Sequence, residues 1–201
     1  MGFARLAFRV LLGLLILLAV IGLALPDSAT VERETDINAP VATVFPHINS
    51  MQAFHAWSPW TRDDPSTQYV FEGPEQGVGS RMRWFSGSEG VGQGSQEIIA
   101  SVANQLVETS LVFGDKGSGV ARFTLIPNAE GTTVRWQFHS DFGWDLFSRY
   151  VGLMLDSMIG AAYDKGLRTL KERVESRDPS LTAPNRAQTE QMSGLEASGA
   201  R

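Results

Sequence analysis

From Thr67 to His139 the chain repeats one pattern, a β-rich stretch followed by a short link rich in glycine. The candidate strands are Gln68 to Glu72, Ser80 to Ser86, Gly92 to Val102, Gln105 to Phe113, Gly119 to Ile126 and Thr132 to His139. They are separated by "GPEQGVG", "GSEG", "AN", "GDKGSG" and "PNAEG". Links this short leave no room for a crossover helix, so each strand must turn back on the one before it. An antiparallel sheet made in this way still needs cover for its apolar face.

The flanking segments supply strand and cover. "ATVERETDI", Ala29 to Ile37, is β-branched and alternating, and reads as a further strand. In "NAPVATVFPHINSMQAFHAW" Asn38 can cap a helix that Pro40 opens, and Val41, Val44, Phe45 and Ile48 share one face. Pro46 falls inside that pattern and predicts two short helices, the second restarting after Ser50. After "DFGWDLF", apolar residues recur at Phe147, Val151, Met154, Met158, Ala162, Leu167, Leu170 and Val174, which predicts one long helix to about Ser176 lying over the sheet. Residues 177–201 are polar and aperiodic, as in a disordered tail.

The start of the chain, "MGFARLAFRVLLGLLILLAVIGLALP", predicts a membrane anchor over residues 1–26. Leu6 to Leu25 is 20 residues, about 30 Å of helix, which matches a bilayer's hydrocarbon core. Arg5 and Arg9 precede or open the apolar run and Asp27 follows it, so the N-terminus belongs in the cytoplasm and residues 27–176 on the outer side of the cell membrane. The competing reading is a cleaved signal peptide, with Gly22 and Ala24 at peptidase spacing.

A net charge of -5 with no basic block excludes a nucleic-acid partner. There is no cysteine, and His47, His55 and His139 fall on three different elements, so no metal site is expected. "GVGQGS", "GDKGSG" and the "DFG" at Asp141 lack the companions of nucleotide motifs, and no cofactor is expected.

The stretches "INAPVATVFPHINSMQAFHAWSPW", "GVGSRMRW", "EGTTVRWQF" and "YVGLMLDSMIGAAYDKGLRTLKE", in this order, resemble the polyketide cyclase/dehydrase branch of the START and Bet v 1-like (SRPBCC) superfamily. The resemblance runs from about Val31 to Glu175. It implies an α+β helix-grip fold, a curved antiparallel sheet of about seven strands wrapped on the C-terminal helix with two short helices after the first strand. It also implies an apolar cavity between sheet and helix.

Strand alternation suggests what that cavity would present. Met82 and Trp84, then Gln96, Ile98, Ala100 and Val102, then Val107, Thr109, Leu111 and Phe113, then Ala121, Phe123 and Leu125, then Val134, Trp136 and Phe138 form the inward set. With Phe71, Tyr150, Met154, Met158 and Tyr163 they make an aromatic, soft lining with few polar handles, suited to an apolar small molecule or lipid. No histidine, lysine or carboxylate shares these strand positions. Acid–base chemistry would fall to rim residues, with His55 and Asp141 as weak candidates beside Asp63 and Asp64. Trp57 and Trp60, in "WSPW", either cap the cavity mouth or seal the helix pair against the sheet. Three functions stay open: a membrane-anchored binder of apolar molecules, a cyclase- or dehydratase-like enzyme working at the mouth, and an interaction module with a filled core.

Overall fold

The computed structural model describes residues 2–62, 64–88, 92–115 and 117–176. The expected tail 177–201 and Asp63 lie outside the described residues. Helix α1 (Gly2–Ala24) leads into β1 (Ser28–Ile37), then α2 (Val41–Ile48), α3 (Met51–His55) and a 3-10 turn, Pro59–Arg62. Six strands follow: β2 (Gln68–Glu72), β3 (Arg81–Phe85), β4 (Gln93–Val102), β5 (Leu106–Val112), β6 (Ser118–Pro127) and β7 (Thr132–Asp141). Two helices, α4 (Leu146–Gly152) and α5 (Leu155–Glu175), close the domain.

The meander is as the short links require. All neighbouring strands are antiparallel, in the order β1-β7-β6-β5-β4-β3-β2, so the first strand joins the last and forms one edge. The C-terminal helix α5 packs on the sheet at β1, giving the α+β helix-grip arrangement. The outer face carries crossed ion pairs, Arg81 with Glu97, Arg122 with Glu108, and Arg135 with Glu32 and Glu34. Exposed pairs of this kind contribute only about 0.2–1 kcal/mol each. The inner face therefore dominates stability, through Phe54, Trp57, Phe123, Trp136, Tyr163, Leu167 and Leu170, all buried.

Pro46 does end the first helix early: α2 stops at Ile48, and Ser50 restarts the chain as α3, its hydroxyl accepting the Ala53 amide at 3.4 Å. Asn38 does not cap α2. Pro40 takes that position without a side-chain bond, and the Asn38 amide donates instead to the Glu175 carboxylate at 2.9 Å.

Two long-range effects correct the expected pattern. The β4–β5 register slips between Ile98 and Ala100, a bulge that inverts the parity beyond it. Ser101, opposite Val107, takes the inward position and bonds Asn49 at 2.8 Å, while Val102 is exposed. The single C-terminal helix is in fact two. Gly152 lies under the Phe142 ring, where a Cβ would come within 2.4 Å of Cε2, and the chain turns through Leu153 and Met154 before α5 begins. This elbow rotates the buried stripe onto Leu155, Ile159, Tyr163, Leu167, Leu170 and Val174. Phe147, Met154 and Met158, expected on the sheet-facing side, are exposed.

Candidate functional site

The concave face is built on small residues. Gly94 on β4 lies under the Trp84 indole, and Gly119 on β6 lies under the Phe138 ring; a Cβ would meet these rings at 2.2 and 2.4 Å. The glycines let both rings lie flat on the sheet, where any side chain would lift them. Along the same face Gln96 and Thr109 are buried and satisfy each other, Nε2 donating to Oγ1 at 2.9 Å.

The face divides into a sealed half and an open half. In the sealed half Trp136 stacks on Tyr163, with centroids 3.7 Å apart and planes 14° apart, and on Phe123 at 4.9 Å. Phe54 and Trp57 meet this stack edge-on, and Trp60 leans on both Trp136 and Tyr163 at 5.9 Å. Gly166 of α5 allows the approach, since a Cβ there would stand 2.9 Å from Trp136 and 3.1 Å from Pro59. Trp57 is fully buried and donates its Nε1 to the His47 carbonyl at 2.9 Å, so it seals the helix pair against the sheet. Trp60 is partly exposed at the rim. The Trp136 Nε1, also buried, has no partner among the described residues.

In the open half, Trp84, Phe113 and Phe138 form a chain of rings at 6.1 and 6.4 Å above buried Met82 and Leu111. Phe71, paired with Met82 across the strands, and Phe113 are each 36% exposed, so this part of the concave face lacks the cover that α5 and the tryptophans give the other. Tyr150 is not part of it: its hydroxyl turns to α1 and donates to the Leu18 carbonyl.

Of the rim candidates, His55 stands against this open half, its ring 4.3 Å from Tyr69 and 5.5 Å from Phe71. Burial lowers its pKa below the usual histidine value, which favours the neutral imidazole. Asp141 ends β7, five strand positions across the sheet from the β2 residues that hold His55, so the two cannot share one proton-transfer site. Among the described residues no cluster of three metal-ligating side chains occurs.

Asp64 has a structural occupation. Its carboxylate accepts the Ser66 hydroxyl at 2.6 Å, the Ser86 hydroxyl, and the Ser66 amide at 2.9 Å, and these bonds lower its pKa to about 2. Because the folded value lies below the roughly 3.9 of a free aspartate, the stabilisation is complete above about pH 4 and lost as pH falls through about 2. A carboxyl-detected NMR titration is expected to give a midpoint near 2. A midpoint at the free value would mean that the Ser66 and Ser86 bonds are not made.

Two charged residues, Arg33 on the inner side and Arg149 beside the end of α1, are not reached by alternation applied to the central strands alone. Arg33, at the inward parity of β1, reaches Asp156 through two bonds of 2.9 and 3.1 Å and Asp164 at 3.4 Å, crossing α5 over Gly160. Arg149, buried in α4, donates to the carbonyls of Leu23, Leu25 and Gly143. The signal for Arg149 was its isolation as the one basic residue of "WDLFSRYVGLML".

Neither of two cavities among the described residues is lined by Phe71, Trp84, Phe113 or Phe138. One of about 370 Å³ lies at the β2–β3 edge, among Ser66, Gln68, Phe85, Ser86 and Gln93. One of about 160 Å³ lies between the end of α3 and α5, lined by His55, Trp57, Pro59, Thr61, Lys165 and Thr169.

A curved antiparallel sheet closed by a C-terminal helix over an aromatic concave face defines a helix-grip protein. The chain belongs to the polyketide cyclase/dehydrase and lipid transport family, whose model matches residues 28–175. Among solved structures it is similar to an uncharacterised protein of Rhizobium leguminosarum, at 15% identity and TM-score 0.53, covering 75% of this chain and 96% of that one. It is likewise similar to the Aha1 dimer of Colwellia psychrerythraea, at 16% identity and TM-score 0.52, over 73% of this chain and 96% of that one. Against the di-domain ARO/CYC StfQ of the steffimycin biosynthetic pathway the values are 11% and 0.54, over 75% of this chain and 51% of that one. At these identities the likeness is one of fold. No curated protein matches the chain.

Proposed function

We propose that the protein is a membrane-anchored binder of a lipid-like or other apolar small molecule, which it holds on its concave face without transforming it. In this reading α1 stays attached as a single span, its N-terminus in the cytoplasm and the domain on the outer side. The observation that carries it is the exposure of Phe71 and Phe113 beside half-buried Trp84, continuous with a packed aromatic wall and backed by the buried polar pair Gln96–Thr109. Aromatic walls with few polar groups suit an apolar ligand fixed by shape and one or two hydrogen bonds. Lipid transport in the family's description supports the same class of ligand.

Native mass spectrometry of the full chain, purified from membranes and followed by organic extraction, tests this. A defined apolar adduct is expected, lost in Trp84→Ala while the circular dichroism spectrum is kept. A bare protein mass that stays unchanged after exposure to membrane lipids would sink the proposal.

The position of His55 against Tyr69 and Phe71 favours a second reading, a cyclase- or dehydratase-like activity at the rim. It requires that His55→Ala abolish turnover of a bound polyketide-like substrate while leaving its binding intact. The sealed half favours a third, an interaction module with a filled core, which a bare mass would support.

A further inference from the structure

The elbow between α4 and α5 leaves a surface that nothing among the described residues covers. Trp144 is 84% exposed, Phe147 77%, Leu153 62%, and Met154 and Met158 60% each. Five large apolar side chains are thus exposed within residues 144–158, and apolar exposure concentrated in this way marks an interaction site.

What α4 touches identifies the occupant. Leu146 and Tyr150 pack against Gly22 near the end of α1, where a Cβ would lie 3.3 Å from Leu146 and 3.2 Å from Tyr150. The Tyr150 hydroxyl donates to the Leu18 carbonyl at 2.6 Å. Helix α4 thus packs across the last turns of α1, at Gly22 and, through the Tyr150 hydroxyl, at Leu18. Leu18 precedes Ala24 by six residues, a distance of about 9 Å along the helix axis. Interfacial helices bury their apolar faces to a depth of about 5–10 Å.

We infer that α4 and its elbow lie within the interfacial layer of the bilayer that α1 crosses, with Trp144, Phe147, Leu153, Met154 and Met158 facing lipid. The inference rests on the reading of α1 as a retained span. The polar groups of α4 are compatible with that position, because each has an internal partner. Asp145 accepts the Phe147 and Ser148 amides at 3.0 and 3.2 Å and the Ser148 hydroxyl at 2.7 Å. Arg149 is spent on backbone carbonyls, at 3.4 Å from Gly22, 3.2 Å from Leu23, 3.1 Å from Leu25 and 2.6 Å from Gly143. Removal of the chain up to Ala24 would strip this buried guanidinium of the Gly22 and Leu23 carbonyls, which argues against a cleaved leader. A tryptophan at this level, Trp144, matches the aromatic belt of membrane proteins. Through Leu155 and Ile159, partly buried on the core, the same surface joins the interior of the grip. The membrane therefore meets the domain where α5 begins.

The absence of cysteine allows single cysteines to be introduced into the full chain. Leu14→Cys in mid-α1, Phe147→Cys, Leu153→Cys, and Glu130→Cys in the β6–β7 turn at the far end of β7 are each spin-labelled and reconstituted in phosphatidylcholine/phosphatidylglycerol vesicles. Power-saturation EPR then compares collision with oxygen and with a water-soluble nickel chelate. The labels at 14, 147 and 153 are expected to be several-fold better shielded from nickel, and more open to oxygen, than the label at 130. Shielding at 14 with 147 and 153 as open to nickel as 130 overturns the inference while sparing the anchor, and assigns the patch to a protein partner instead. Exposure at 14 as well removes the anchor and the inference together.

Discussion

Trp136→Ala is expected to destabilise the domain by about 3–5 kcal/mol, the range for removing a large aromatic ring from a core. The indole is buried and touches five other aromatic side chains, face to face with Tyr163 and Phe123 and edge to face with Phe54, Trp57 and Trp60. Each such pair adds about 0.5–1.5 kcal/mol beyond the burial of area. One effect opposes the loss. The unpartnered Nε1–H costs about 1–3 kcal/mol where it stands, and the alanine variant no longer carries it. Trp136→Phe isolates this effect, because it keeps a ring in the stack and deletes the orphan donor. It is expected to cost much less than alanine, and urea unfolding of both variants measures the difference. A Trp136→Ala protein within about 1 kcal/mol of the parent would mean that the sealed half is not a packed wall, and the division of the concave face would fall with it.

Gly94→Ala is the second large expected effect, near the upper end of the roughly 1–3 kcal/mol that overpacking costs. A Cβ at Gly94 would lie 2.2 Å from Trp84 Cζ2 and 2.4 Å from the Val112 carbonyl oxygen. The indole can swing away, but the oxygen belongs to the backbone of the neighbouring strand β5. A double-mutant cycle separates the two contacts. Trp84→Ala in the Gly94→Ala background is expected to recover only the part of the loss that comes from the ring. Full recovery would show that the β4–β5 backbone yields freely there. No loss in the single variant would show that Trp84 does not lie on Gly94, which would also remove the flat aromatic floor on which ligand binding is proposed.

The inward set of the central strands was legible in the residues themselves. Val107, Thr109, Leu111, Ala121, Phe123, Val134, Trp136 and Phe138 follow a period of two, and each is buried. The helix pair was legible through Pro46 and Ser50, whose effects act within a few residues. Ala100 and Val102 were misassigned, because the bulge after Ile98 satisfies contacts with Val107 and Asn49 that alternation within one strand does not contain. Met154 and Met158 fit a helical stripe that continues unbroken only if Gly152 does not meet Phe142. Tyr150 belongs to the expected lining of the grip, yet the partner of its hydroxyl is a carbonyl of α1, 132 residues earlier in the chain.

The sequence by itself determined an antiparallel meander, a pair of short helices, an amphipathic C-terminal cover and an apolar first helix long enough to cross a membrane. Each of these follows from a local period or a local breaker, which operates over one turn or one strand. Only the tertiary structure decided which aromatic rings are sealed and which stay open, where the cover bends, and against what α4 lies. Those outcomes depend on contacts between residues far apart in the chain, Gly152 with Phe142, Gly166 with Trp136, and Arg149 with the end of α1. The steric and hydrogen-bond terms at such contacts, about 1–3 kcal/mol each, exceed the few tenths by which local preferences separate one continuation of a helix or strand from another.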